Sequence, residues 1–157
     1  MNTINYIKAA VTAVFAFIAS MLGVLAVPVG LMVLCNIIDY ATGLLATPFR
    51  EEKVNSYKSI RGISKKVAMW ILVIIGAVLD ELIIYAVSML GYTAPFTFLV
   101  ACVVAIWIVC SEIISILENI SDMGVPMPRF LLPLVKHIKI HVEEKVTVDA
   151  LEDDEGA

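Results

Sequence analysis

The chain has little charge and places it unevenly. Charged residues make up 17% of its 157 residues. There is none from Ala9 to Ile38, and no lysine, arginine or histidine separates Lys66 from Arg129. Against a hydrophobic content of 61%, compared with roughly 45–50% in ordinary domains, this excludes a water-soluble fold. Catalytic machinery is also missing: there is no phosphate-binding loop, no metalloprotease histidine pair with an intervening glutamate and no nucleophile elbow. We therefore expect no enzyme and no cofactor. Cysteine is scarce, and an odd three (Cys35, Cys102, Cys110) all lie in apolar runs. That excludes a disulfide framework and predicts buried thiols. The two histidines, His137 and His141, have the spacing of a metal pair but no third ligand, so a solvated face is the expectation. The formal charge of −4 says little about partners, because the acids crowd the C-terminus, as in Glu152-Asp153-Asp154-Glu155.

What remains is long apolar sequence. From Ala9 to Thr47 only Asp39 is charged, and one helix of about 39 residues would rise roughly 58 Å, nearly twice a hydrocarbon core of about 30 Å. The run must fold back, and Pro28 and Gly30 near its midpoint suggest where. The expected architecture is all-α, a polytopic membrane helical bundle with spans at residues 9–26, 29–47, 67–90 and 96–117. A cytoplasmic basic loop (48–66) joins the second to the third, and Gly91 to Pro95 turns the third into the fourth. The transmembrane domain is then residues 1–118, followed by a cytoplasmic amphipathic segment (119–148) and a disordered acidic tail (149–157). Val24-Leu25-Ala26 would pass as a signal-cleavage sequence, but the preceding apolar stretch exceeds the usual 7–15 residues or so.

Basic residues orient the bundle. Lys8, the group Arg50, Lys53, Lys58, Arg61, Lys65 and Lys66, and the group Arg129, Lys136, Lys139 and Lys145 all fall on one side if there are four spans. Both termini are then expected in the cytoplasm, by the positive-inside rule. Three spans, with a tilted helix in place of the first hairpin, would put Lys8 outside. Lys53, Lys58, Arg61, Lys65 and Lys66, interleaved with Tyr57, Ile60, Ile63 and Val67, are expected to face anionic lipid rather than nucleic acid. After Pro128, Leu131, Leu134, Val135, Ile138 and Val142 share one face of a helix expected on the bilayer or on a neighbouring helix.

Inside the spans lie Asp39, Asp80, Glu81 and Glu112, none with a cation nearby in sequence. A charge at the centre of a lone helix costs about 2.5–3.5 kcal/mol on insertion scales, so these acids should be neutral, face other helices or line water. Asp39 lies about 12 Å and Glu112 about 8 Å from the cytoplasmic ends of their spans, so the two are expected in one layer. Asn36 and Ser115 supply a polar neighbour on each helical face. Asp80 lies deeper, about 20 Å in, and Glu81 points elsewhere. Ala9, Ala13, Ala16, Ser20 and Gly23 form a small-residue stripe suited to self-association, and Gly43 would admit close helix approach beside Asp39.

Four segments in order, Asp39-Tyr40-Ala41-Thr42-Gly43, Ser59-Ile60-Arg61-Gly62-Ile63-Ser64-Lys65-Lys66, Ser111-Glu112-Ile113-Ile114-Ser115-Ile116-Leu117-Glu118-Asn119 and Gly124-Val125-Pro126-Met127-Pro128, resemble the motifs of a holin family. That family comprises holins of phages of Gram-positive bacteria and related toxin-secretion holins. The resemblance covers roughly residues 9–142 and departs from shorter members in the acidic extension. It implies a bacterial cytoplasmic-membrane protein that oligomerises with itself into lesions, releasing endolysin or a toxin for host cell lysis. The intramembrane acids would then hold helices together while neutral and meet water in the assembly. A small channel or transporter, which would need a defined selectivity site, and a non-permeabilising scaffold are the alternatives.

Overall fold

The computed structural model describes residues 3–50 and 56–152, and within them the side chains of Ile18, Met21, residues 56–59 and residues 145–152 are not described. Among the described residues every regular element is helical: α1 (Thr3–Leu22), a short 3-10 turn (Gly23–Leu25), α2 (Ala26–Ala46), a second 3-10 turn (Thr47–Arg50), α3 (Ser56–Met89), α4 (Leu99–Asp122) and α5 (Leu131–Glu152). Three helical segments, Gly23–Arg50, Ile60–Met89 and Leu99–Asp122, are long and apolar enough to cross a membrane, and Thr3–Phe17 is apolar but shorter. Their outer surfaces are oily, with Val27 70%, Ile37 63% and Ile74 61% exposed. Such a continuous apolar exterior requires lipid rather than water as its solvent.

The first break in the apolar run lies earlier than the Pro28–Gly30 position read from the sequence. Gly23, at φ 51°, separates α1 from α2, in the left-handed region that a residue with a Cβ avoids. Pro28 is instead the third residue of α2, where a missing N–H leaves no helical bond unmade. Gly23 therefore ends α1 rather than continuing its small-residue face. Ala9, Ala13, Ala16 and Ser20 are exposed, so no described helix covers that stripe.

A second correction concerns the basic loop. The helix α3 starts at Ser56, not at residue 67, so Arg61, Lys65 and Lys66 ride on its first turns. Nothing in this stretch breaks a helix, and Ile60, Ile63 and Val67 already carry its spacing. At 34 residues, α3 is about 51 Å long and outruns the hydrocarbon core. Its other end closes as expected at Gly91 (φ 81°). There Tyr92 N–H reaches the Val87 carbonyl at 3.2 Å and Gly91 N–H reaches that of Ser88 at 3.0 Å, the Schellman pattern that satisfies a helix's last carbonyls.

The central helix is α4, packed against α2, α3 and α5. It runs parallel to α2 and antiparallel to α3, which brings Leu25, Met32, Met69, Val73, Ala101, Ala105 and Ile108 into one core. Small residues set the spacing. Ala101 and Ala105 are fully buried, and a Cβ placed on Gly76 would come within 2.9 Å of the Ala101 Cα. The backbones of α3 and α4 therefore touch here, and only glycine fits at Gly76.

Gly124 (φ 74°) turns the chain back after α4, so α5 lies antiparallel along it, the second of the two placements expected. Leu131, Leu132 and Val135 pack with Met127 against Cys110, Ile113, Ile114 and Leu117. Leu134 and Ile138, expected on the same face, are 48% and 43% exposed. The helix continues to Glu152, beyond the expected end at 148, and the remainder of the acidic tail lies outside the described residues. The cysteines are free, Cys35 and Cys110 buried and Cys102 partly so.

Candidate functional site: a polar junction between three helices

Asp39 and Glu112 do meet in one layer, but not as cation-free acids. Lys66 Nζ lies 2.9 Å from Asp39 Oδ2 and also pairs with Glu112 Oε2, and it donates to Asn36 Oδ1 at 3.1 Å. The sequence reading is overturned here because the partners are 27 and 46 residues from Lys66. Packing of α2 and α3 on the common helix α4, α3 antiparallel to it, closes those distances. Lys66, expected to face lipid, turns inward instead, its long stem carrying the ammonium between the two carboxylates. The Lys66 side chain is 20% exposed, that of Asp39 15% and that of Glu112 5%, so solvent screens these pairs weakly.

A second set of bonds extends the junction toward the basic end. Asn119, 5% exposed, donates from Nδ2 to Asp39 Oδ1 at 3.2 Å and to Thr42 Oγ1 at 3.1 Å. Its Oδ1 accepts from Arg50 Nη2 at 2.7 Å, and Arg50 Nε donates to Asp122 Oδ2 at 2.6 Å. Thr42 Oγ1 donates to the Asp39 carbonyl at 3.1 Å. One network thus runs from Arg50 through Asn119 and Asp39 to Lys66 and Glu112, tying α2, α3 and α4 over about two turns of α4. Three of the four sequence motifs supply it: Asp39 and Thr42 the first, Lys66 the end of the second, Glu112 and Asn119 the third. The fourth forms the turn into α5.

The other candidates lie elsewhere. Asp80, 4% exposed, accepts the backbone N–H groups of Val100 and Ala101, each at 2.9 Å. It caps α4 from a neighbouring helix. Phe98 at the start of α4 has φ 58° and no side-chain bond to offer, so Asp80 supplies both the acceptor and the negative charge that a helix N-terminus favours. Glu81 is exposed and joins neither group, and Arg61 and Lys65 are exposed on α3. The side chain of Lys58 and all of Lys53 lie outside the described residues. A Cβ on Gly43 would meet Asn119 Nδ2 at 3.7 Å, an ordinary contact, so the forced close approach is at Gly76 and not here. His137 and His141 are exposed and lie against each other, ring centroids 4.2 Å apart, and no cluster among the described residues has metal-binding composition.

Four residues escaped the sequence reading in these roles. Arg50 and Lys66 looked like topology signals, while Asn119 and Gly76 carry no periodic pattern. The available signal was the ordered motifs, which contain Lys66 and Asn119.

Comparison with known proteins agrees with the motif order: residues 16–140 match the model of the Bacteriophage holin family. The chain belongs to that family. The holin match spans α2, α3 and α4 entire, hence the whole junction. A Clostridium perfringens protein, described as an uncharacterized 14.9 kDa protein in the nagH 3' region, is 26% identical over 137 residues, 87% of this chain and 96% of that protein. An uncharacterized protein of Halalkalibacterium halodurans is 31% identical over 103 residues (66% of this chain, 71% of its own). One from Clostridium acetobutylicum is 28% identical over 112 residues (71% and 81%). No solved structure matches the chain. It is a holin-type membrane protein, and the family it matches is not an enzyme family.

Proposed function

We propose that this holin-family chain accumulates in the bacterial cytoplasmic membrane, crosses it with α1 to α4, and self-associates into lesions through which an endolysin or a toxin leaves the cell. The N-terminus and the basic end of the bundle face the cytoplasm in this reading. The observation that carries it is the junction of Lys66 with Asp39 and Glu112. A subunit that must wait in lipid cannot leave charges unpaired there, since each costs about 2.5–3.5 kcal/mol at mid-membrane. The junction pairs them within one chain and holds α2, α3 and α4 closed.

Assembly changes that balance. Two carboxylates share one lysine, so the pairing leaves one negative charge unbalanced, and water entering between subunits solvates these groups better than the closed bundle does. The small-residue face of α1, uncovered in the single chain, offers a seam along which copies approach. Exposed Arg61 and Lys65 suit the headgroups of anionic lipid at the cytoplasmic surface. The test is inducible expression, alone and together with an endolysin, following viability and turbidity. The expected result is abrupt loss of viability after a fixed delay, with clearing only when endolysin is present. Cells that stay viable and retain a co-expressed endolysin would make the chain a scaffold, and steady ion flux of fixed unitary conductance would make it a channel.

A further inference from the structure

The helix α5 rises along α4 far deeper than a surface helix would. Trp107 Nε1 donates to Glu143 Oε1 at 2.6 Å, and Lys139 Nζ stands 4.5 Å from the Trp107 ring centroid, a cation–π arrangement. Trp107 belongs to the apolar helix Leu99–Asp122, about 12 Å from one end and about 22 Å from the other. The two bonds therefore hold α5 beside the middle of a membrane-crossing helix.

The outer face of α5 carries polar groups at this depth: His141 is 57% and Glu144 62% exposed, beside Ile140 at 47%. Nearer the basic end Lys136, 50% exposed, pairs with Glu118 of α4, 54% exposed. Elsewhere around the bundle the outward residues are of the kind of Leu34, Ile37, Leu72 and Ile74. One sector of the circumference therefore suits water while the rest suits acyl chains. Lipid solvates such polar groups poorly at mid-depth, and no other described helix covers them.

We propose that α5 is the water-facing wall of the lesion: copies assemble with their α5 sectors turned toward a common aqueous space, α5 staying docked on α4. This rests on the lesion reading above and adds which helix meets the water. The exposed Leu134 and Ile138 border the polar face and suit contact with the adjacent copy.

The test uses the full chain in phosphatidylethanolamine–phosphatidylglycerol vesicles loaded with a fluorescent dye, with Cys35, Cys102 and Cys110 changed to alanine. In one variant, Trp107→Cys and Glu143→Cys are joined by a short bis-maleimide. In a second, a nitroxide is placed at His141→Cys, with Ile74→Cys as the lipid-facing control. Dye release by the cross-linked protein within twofold of the uncross-linked one is expected. In leaking vesicles His141 should relax with a water-soluble nickel chelate, and Ile74 with oxygen. Release abolished only by the cross-link, or lipid-type accessibility at His141, overturns the proposal and leaves lesion formation standing. Vesicles that stay sealed with the unmodified chain refute both.

Discussion

Replacing Lys66 by methionine removes the ammonium but keeps most of the stem, so the change isolates charge from packing. Asp39 and Glu112 would then face each other at 15% and 5% side-chain exposure with no cation between them. Removing one partner of a buried pair costs about 3–5 kcal/mol, and the 20% exposure of Lys66 argues for the lower end. About 3 kcal/mol is roughly a hundredfold in the balance between closed and opened bundle. The expected phenotype is early lysis in cells and, in detergent, a loss of that size in denaturant unfolding. Adding Asp39→Asn and Glu112→Gln to the same chain removes both stranded carboxylates and should recover most of the loss, because a neutral hydrogen-bonded layer has no stranded charge. A Lys66→Met chain within about 0.5 kcal/mol of the parent, the scatter of an ordinary surface substitution, and with unchanged lysis timing would refute the idea that this junction keeps the bundle closed. So would a triple variant no more stable than the single one.

Other consequences follow from the same geometry. Asp80→Ala strands the N–H groups of Val100 and Ala101 and should destabilise the fold by about 1–3 kcal/mol, while Asp80→Asn, which keeps one acceptor, loses less; denaturant titration in micelles reads both. Gly76→Ala pushes a methyl group into the α4 backbone and should cost about 1–3 kcal/mol by the same measurement, whereas Gly43→Ala, with room for its Cβ, should stay within about 1 kcal/mol. Equal effects at the two glycines would sink the close-approach argument. Asn119→Leu uncouples Arg50 from Asp39 and should lower stability by about 1–3 kcal/mol. By contrast Arg50→Gln, whose pair with Asp122 is 36% and 42% exposed, should change it by no more than about 1 kcal/mol and less still at high salt.

Hydrophobic run length, which needs no tertiary information, determined that this chain lives in a membrane, that its helices number about four plus a C-terminal one, and that a turn falls at Gly91. The motif order carried the family. Local pattern also placed Asp39 and Glu112 at a common depth, because rise per residue is fixed once a span is recognised. It failed where the deciding distance was through space. Lys66 counts as a surface lysine until α2 and α3 are both laid on α4, and Asp80 reads as a lone intramembrane acid until the start of α4 arrives beside it. Gly76 shows no signal until the Ala101 backbone touches it. Charge pairing and close approach depend on which faces of distant helices meet, and a one-dimensional pattern records period and depth but not azimuth between helices. That relation was decided by packing alone.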